Sequence, residues 1–214
     1  MGGTTDVSVR HRTHDHGDGA DRPRVGVLAI QGDVSEHEAA LQRVGADPVR
    51  VRRRADLEGL DGLLIPGGES TTIGILLEEF GMLEPIRELV HQQTPIWGTC
   101  AGMVLLSRNV GGDQLLIGGL DASVDRNAFG RQVDSFETDL EIDGVEGIPF
   151  RAIFIRAPAA RDSGPGCQVL AELGDRQIVA LRQDNILATA FHPELSGDDR
   201  LHQYFVDMIV SARG

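Results

Sequence analysis

Residues 95–102 have the sequence PIWGTCAG, and the rest of the chain is organised around them. They form a short apolar run that ends in a sharp turn, and the pattern Gly98-x-Cys100-x-Gly102 is that of a nucleophile elbow with cysteine in place of serine. The corner residue of an elbow has a strained backbone, and small neighbours leave room for the chain and for a substrate. Residues 101–107 predict a helix, whose N-terminus would favour a thiolate. The alternative is a buried cysteine that packs as a small apolar side chain.

Apolar runs and helical patterns alternate on both sides of this elbow. Ser35 followed by Glu38 is a capping-box pattern, and Ser70 or Thr71 is a candidate cap for a later helix. The alternation predicts an α/β fold with an open, mostly parallel sheet flanked by helices. Buried strands are predicted at residues 24–30, 49–51, 63–66 and 186–191, and helices at residues 35–44, 70–80, 83–91 and 198–212.

The second half of the chain departs from this alternation. Residues 108–118 are polar and glycine-rich, so we expect an exposed connection. Residues 120–154 contain short alternating runs and turns, which are typical of a small antiparallel excursion at one edge of the sheet. Residues 152–156 predict a further strand, and residues 167–181 predict a hairpin that turns at Gly174-Asp175.

The composition predicts one domain preceded by a leader. The 214 residues, 41% of them hydrophobic, suit a single domain over residues 24–214, whereas residues 1–23 lack the apolar region of a signal peptide and predict a disordered leader. A net charge of −13 argues against nucleic acid or an anionic membrane as a partner. No run approaches the roughly 18 apolar residues that a membrane-spanning helix needs.

All 20 basic residues are arginines, so the chain is strongly acidic and has no lysine. This suggests adaptation to a high-salt cytoplasm, where salt screens the repulsion between acidic groups. Two cysteines are too few for a disulfide framework, and a reducing cytoplasm is the expected location. Cys167 has neither an elbow nor a nearby histidine in sequence, and we interpret it as structural.

Several chemically active residues follow predicted strands. The carboxyl ends of parallel strands meet at one edge of a sheet, which brings Gly67-Gly68 near Cys100. Gly67-Gly68 is either a plain turn or a source of backbone N–H groups for an oxyanion. His192 and Glu194 project to the same side of an extended segment. They are either an isolated surface pair or the base and orienting acid that activate a cysteine.

Three motifs together resemble the class I (triad) glutamine amidotransferases: residues 66–72 (PGGESTT), 98–102 (GTCAG) and 191–194 (FHPE). Three further stretches narrow the resemblance to the family of glutaminase subunits of pyridoxal 5'-phosphate synthase. They are residues 26–32 (GVLAIQG), 126–136 (RNAFGRQVDSF) and 154–158 (FIRAP). The resemblance runs from about residue 24 to about residue 210. The leader and the absence of lysine have no counterpart in the family pattern.

The resemblance implies a flavodoxin-like sheet and a triad of Cys100, His192 and Glu194 that hydrolyses L-glutamine to L-glutamate and ammonia. Gly68 and Ala101 would stabilise the oxyanion, and Arg126 is the first choice for the substrate carboxylate, which a guanidinium can clamp with two hydrogen bonds. No metal or cofactor is expected. The residues implied to hold glutamine are Gly68, Glu69, Ser70, Arg126, Ile155 and Arg156.

The resemblance also implies a partner. Ammonia would pass to a separate (β/α)₈-barrel synthase subunit, in a complex of twelve synthase and twelve glutaminase subunits. Three alternatives remain open: a glutaminase that serves another synthase, such as that of histidine biosynthesis; a cysteine hydrolase or peptidase with the same triad; and a catalytically silent regulatory subunit.

Overall fold

The computed structural model describes residues 22–130, 135–174 and 176–214. The predicted leader lies almost wholly outside these residues, as do Asp175 of the predicted turn and residues 131–134. The strands in the described residues are β1 (Arg24–Leu28), β2 (Asp47–Val51), β3 (Gly62–Ile65), β4 (Ile96–Thr99), β5 (Ser107–Asn109), β6 (Leu120–Asp125), β7 (Ser135–Leu140), β8 (Phe150–Ile155), β9 (Ala159–Ser163), β10 (Gln168–Leu173), β11 (Gln177–Gln183) and β12 (Ile186–Thr189).

Five parallel strands form the centre of the fold, in the order β2-β1-β3-β4-β12. This is the strand order of a flavodoxin-like doubly wound sheet, so the predicted α/β architecture is confirmed. Every residue of β3, β4 and β12 is buried, as expected for strands covered by helices on both faces. The helices are α1 (Val34–Arg43), α2 (Ser70–Glu79), α3 (Leu83–His91), α4 (Ala101–Leu106) and α5 (Arg200–Ala212), with short 3-10 helices at Arg54–Leu57 and Pro193–Leu195.

The predicted antiparallel excursion divides into two parts. Of the strands in residues 120–154, β6 joins the main sheet, which continues beyond β12 in the order β11, β9, β6 and β5. β6 pairs antiparallel with β9 and parallel with β5, and β10 pairs with β11, as the predicted hairpin requires. β7 and β8 instead form a separate two-stranded ribbon. The ribbon packs through aromatic rings: Phe154 stacks on Phe136 at 4.6 Å and contacts Phe191 at 5.5 Å. These buried aromatic contacts hold the ribbon against the domain, so it does not depend on hydrogen bonds to an edge strand of the main sheet.

The connection after α4 is more ordered than we expected. The helix ends at Leu106, and Ser107–Asn109 forms an edge strand beside β6. Ile117 is buried, and its N–H donates to the carbonyl of Leu105. The prediction of an exposed connection over residues 108–118 is therefore wrong for its C-terminal half.

Both predicted helix caps are wrong. α1 begins at Val34, two residues before the start that a Ser35 cap would give, and Glu38 pairs with Arg50 rather than with the helix terminus. α2 is capped by Glu69, whose carboxylate accepts hydrogen bonds from the backbone N–H groups of residues 71 and 72 at 3.0 and 2.8 Å. A charged acceptor outcompetes the hydroxyl groups beside it, and it also faces the positive end of the helix dipole.

α5 buries an apolar face that consists of Leu201, Phe205, Met208 and Ile209. Within the described part of the chain, no helix combines the length and apolarity that crossing a membrane would require.

Candidate active site

Cys100 lies at the corner between β4 and α4 with φ +49° and ψ −103°, a conformation that few non-glycine residues adopt. Its N–H donates to the carbonyl of Thr189 at 2.8 Å, which ties the corner to β12. A Cβ atom on Gly102 would lie 2.2 Å from the backbone oxygen of Ile65, and one on Gly98 would lie 2.4 Å from Gly102. The two glycines therefore allow the close packing that an elbow needs.

His192 and Glu194 follow β12 and meet Cys100 at this edge of the sheet. The N–H of His192 donates to the carbonyl of Ile153 at 2.8 Å, which also fixes the β7–β8 ribbon against the site. His192 Nδ1 lies 2.8 Å from Glu194 Oε1, and the imidazole lines the same cavity as Cys100. The three residues predicted from separate motifs thus form one continuous row of cysteine, histidine and carboxylate.

The electrostatics of this row favour a protonated imidazole. Burial by itself lowers the pKa of His192, but its interactions with Cys100 and Glu194 raise it to about 10. Burial raises the pKa of Glu194, while its hydrogen bond and attraction to His192 oppose that rise. His192 therefore holds a proton that it can deliver to a leaving group.

A cavity of about 730 Å³ opens beside this row. It lies at the carboxyl ends of β1, β3 and β4, where ligands bind in open α/β sheets. All the residues that the resemblance implies for glutamine and for the oxyanion contribute to its wall, whereas Glu194 lies behind His192. The lining residues are Gln31, Gly32, Asp33, Gly67, Gly68, Glu69, Ser70, Cys100, Ala101, Val104, Arg126, Asn127, Ile155, Arg156, Pro158 and His192.

Arg126 follows β6 and is held at the rim of the cavity. Its Nη1 donates to Thr71 Oγ1 at 2.9 Å and to Gln114 Oε1 at 3.1 Å. On the other side, the backbone oxygen of Ile155 lies 4.0 Å from Cys100 Sγ. Arg156, which follows β8, has a left-handed backbone with φ +44°. The ribbon end and the β6 turn therefore bring cationic side chains to a pocket whose other wall holds the nucleophile.

Glu69 lies in the cavity wall, but its carboxylate is occupied by the cap of α2. Hydrogen bonds from Thr72, together with those from Thr71, lower the pKa of Glu69 to about 2 against a smaller opposing effect of burial. Its N–H donates to Gln31 Oε1 at 2.6 Å. Gly68 has φ +143°, and a Cβ there would lie 2.6 Å from the same Gln31 oxygen. Gln31 therefore shapes the turn that carries Gly68 and Glu69.

Sequence reasoning missed several residues of this wall, among them Gln31, Asp33 and Asn127. Gln31 and Asp33 follow a buried strand just as Gly67 does, so the rule that sites gather at strand ends could have found them. Gly67 has a role beyond its turn, because a Cβ there would lie 2.5 Å from His192 Cε1.

Asp33, His192 and Glu194 offer ligand atoms within 4.8 Å of one another, the arrangement in the described residues that most resembles a metal site. Two of these atoms, His192 Nδ1 and Glu194 Oε1, are already paired at 2.8 Å, and Asp33 Oδ2 lies 3.9 Å from Nδ1. The hydrogen bond between His192 and Glu194 therefore explains why these two residues lie close together, without a metal ion.

Cys167 has a different environment. Its Sγ lies 3.5 Å from the backbone oxygen of Asp121 and 3.3 Å from Gln183 Oε1. Burial raises the pKa of the Cys167 thiol, and the negative charge of Asp121 adds to that effect. Both cysteines are free thiols.

Comparisons with known proteins agree with this geometry. The family model described as SNO glutamine amidotransferase family matches residues 27–211. The chain is 58% identical over 193 residues to "Pyridoxal 5'-phosphate synthase subunit PdxT" of Frankia alni, covering 89% of this chain and 96% of that protein. The protein of the same name in Nocardia farcinica is 53% identical, covering 89% and 88%.

A solved structure described as a glutamine amidotransferase is 49% identical and superposes with a TM-score of 0.82, covering 87% of this chain and 98% of that one. A putative GMP synthase subunit from Thermoplasma acidophilum, 20% identical with a TM-score of 0.66, shares the fold. The family model matches most of this chain, and the match to the Frankia alni protein covers 96% of that protein. This chain therefore belongs to the SNO glutamine amidotransferase family.

Proposed function

We propose that this chain hydrolyses L-glutamine to L-glutamate and ammonia through Cys100, His192 and Glu194, and that it passes the ammonia to a separate synthase subunit that makes pyridoxal 5'-phosphate. The observation that carries the proposal is the position of His192 between the elbow cysteine and a buried carboxylate, at 2.8 Å from Glu194 Oε1. Relatives named as subunits of that synthase support the choice of partner.

The reaction begins when the Cys100 thiolate attacks the carbon of the substrate carboxamide. The tetrahedral intermediate collapses as the C–N bond breaks, and His192 gives its proton to the departing nitrogen, which leaves as ammonia. A γ-glutamyl thioester remains on Cys100. Water then attacks the thioester carbon, His192 takes the proton of that water, and the C–S bond breaks to release glutamate. Glu194 keeps the Nδ1–H of His192 aligned through both steps.

Two backbone groups serve the oxyanion. Ala101 is the first residue of α4, so its N–H has no acceptor within its own helix and lies next to the nucleophile. Gly68 lines the same cavity and has no side chain to block an approach. Loss of one such donor typically slows a reaction by about 10²–10³.

The remaining wall holds the amino acid end of glutamine. Arg126 clamps the α-carboxylate, since a guanidinium can give it two parallel hydrogen bonds. Its bonds to Thr71 and Gln114 keep the side chain in place before substrate arrives. Backbone and side-chain groups of Gly68, Glu69, Ser70, Ile155 and Arg156 complete the pocket.

The proposal includes a (β/α)₈-barrel synthase in a complex of twelve and twelve subunits. It also includes a cytoplasmic location, which the two free thiols support. Adaptation to high salt is part of it too, supported by the net charge of −13.

The test is glutamate release from L-glutamine in molar salt, with and without the synthase subunit of the same genome. Wild-type protein should release glutamate, faster with the synthase, and Cys100→Ala should release none. Cys167→Ala is the matched control and should keep the wild-type rate, because the second thiol lies outside the cavity. If folded Cys100→Ala kept more than a few per cent of the wild-type activity, Cys100 could not be the nucleophile and the proposed triad would be wrong. Turnover of peptides or esters with no turnover of glutamine would favour a hydrolase.

A further inference from the structure

Two histidines that no step of the reaction uses lie buried behind the triad. His37 is on α1 and His202 is on α5, and both side chains are fully excluded from solvent. His37 Nε2 lies 3.2 Å from Glu194 Oε2, the carboxylate oxygen that does not face His192. His37 Nδ1 lies 3.0 Å from His202 Nε2. The cysteine, histidine and carboxylate row therefore continues inward through two more imidazoles.

The chemistry of the groups assigns a direction to each of these contacts. Neither His37 Nε2 nor Glu194 Oε2 has an aligned hydrogen bond to any of the described residues, and each lies near the other. An ionised carboxylate only accepts hydrogen bonds, so a bond between these two atoms requires His37 to donate from Nε2. In a neutral imidazole the other nitrogen is then an acceptor, so His37 Nδ1 accepts from the Nε2–H of His202. Burial lowers the pKa of His37 well below 6.5, as do the charges of His202 and His192, and burial lowers that of His202 to about 4. Both rings are therefore neutral at working pH.

Packing holds the two rings in these orientations. Trp97 of β4 meets His37 edge-on at 6.1 Å and His202 edge-on at 5.0 Å. The indole Nε1–H donates to Thr189 Oγ1 at 3.1 Å, so the ring that packs on the histidines is fixed to β12. β12 is also the strand that His192 follows. The histidines, the indole and the triad thus form one packed unit that joins α1, α5, β4 and the segment after β12.

We propose that His37 is a positioning residue for the reaction. It donates to the outer oxygen of Glu194, keeps that buried carboxylate ionised and aims its other oxygen at His192, while His202 fixes the tautomer of His37. The inference rests on the proposed function, because it assigns a role to His37 through the triad. A single hydrogen bond from His192 would leave half of a buried carboxylate without a partner, which disfavours its charged form.

The groups that face this unit are few. Glu194 is faced by His192, His37 and the carboxylate of Asp33, which raises its pKa. His202 is influenced by Asp199 and Arg43, which form an ion pair with each other at 2.6 Å. When the donor from His37 is lost, Glu194 stays protonated to a higher pH and no longer supports the charge on His192. The acidic limb of kcat/KM should then move to higher pH.

The experiment compares His37→Met with His37→Gln, each assayed for glutamate release in complex with the synthase. Met has a similar length but no donor, whereas the Gln amide nitrogen can replace the Nε2–H. We expect His37→Met to lower kcat about 5- to 100-fold, which is the loss expected when a buried polar group is left unpaired. KM should stay unchanged and the acidic limb should move to higher pH. His37→Gln should retain most of the wild-type kcat and its pH profile.

A double-mutant cycle with Glu194→Gln separates positioning from simple packing. If His37 acts through Glu194, His37→Met should have little further effect on kcat once the carboxylate is gone. Equal losses in the Met and Gln variants, an unshifted pH profile, or a full additional loss in the Glu194→Gln background would overturn the inference while wild-type turnover still supported the triad. A wild-type protein that releases no glutamate would instead overturn the proposed function.

Discussion

Gly67→Ala tests how tightly the site is packed around its histidine. The new Cβ would lie 2.5 Å from His192 Cε1 and 3.3 Å from Nδ1, and no strained backbone is involved, because the φ of Gly67 is not in the left-handed region. Carbon atoms in contact sit about 3.5–4.0 Å apart. The imidazole would therefore have to move by about 1 Å or more.

The contacts of His192 oppose this displacement. His192 is buried, its ring is held by the 2.8 Å bond to Glu194, and its backbone N–H donates to the carbonyl of Ile153 at 2.8 Å. Moving the ring breaks one of these alignments. A misplacement of about 1 Å can slow a reaction about 10²-fold, and we expect that loss in kcat with little change in KM.

The assay is glutamate release in the presence of the synthase, together with the thermal unfolding temperature of each variant. Gly112→Ala is the matched control, since a Cβ at Gly112 meets nothing within 4 Å. It should leave both kcat and unfolding unchanged. A Gly67→Ala variant that folds and keeps the wild-type kcat would refute the reasoning, because it would show that His192 can shift without harm.

Three further predictions follow from the charged groups. Arg126→Ala should raise KM for glutamine at least about tenfold and leave kcat unchanged. The control Arg151→Ala removes only exposed ion pairs with Glu137 and Asp139 and should change neither constant. A loss confined to kcat would contradict a substrate contact and would assign Arg126 to the subunit interface. Glu69→Ala should lower the free energy of unfolding by about 1 kcal/mol at neutral pH. Because the cap holds the pKa of Glu69 near 2, below its ordinary value of 4.5, that difference should shrink as acid titration runs from about pH 4.5 towards pH 2, and a constant difference would contradict it. The unfolding temperature should rise between dilute buffer and molar salt, given a net charge of −13, and equal stability in both would end the high-salt hypothesis.

Local sequence patterns predicted much of the fold. The parallel sheet was predicted from buried apolar runs that alternate with helices, and the elbow at Cys100 from Gly98 and Gly102, which approach the neighbouring backbone closely. The cap predictions were wrong because several adjacent polar residues can each cap a helix, and a shift of one residue decides which of them does. The sequence shows that Glu69, Ser70 and Thr71 are all candidates, but only the backbone decides which one faces the orphan N–H groups of α2.

What the sequence could not show depends on contacts between distant segments. His37 and His202 lie 165 residues apart, each within an ordinary helical pattern, so nothing local distinguishes them from core or surface residues. α5 buries an apolar face, and His202 on the same helix contacts the ring that lies near Glu194. The separate β7–β8 ribbon was missed for the same reason, since its place is set by Phe154 packing on Phe136 and Phe191.

The central claim, that Cys100 is the nucleophile for glutamine, is tested most directly by labelling with 6-diazo-5-oxo-L-norleucine, a glutamine analogue that alkylates an attacking thiolate. The protein in complex with its synthase is treated with the analogue, digested and mapped by mass spectrometry. We predict a single adduct on the peptide that contains Cys100, abolished by excess glutamine and absent from Cys100→Ala. An adduct on Cys167, or equal labelling of the Cys100→Ala variant, would contradict the account.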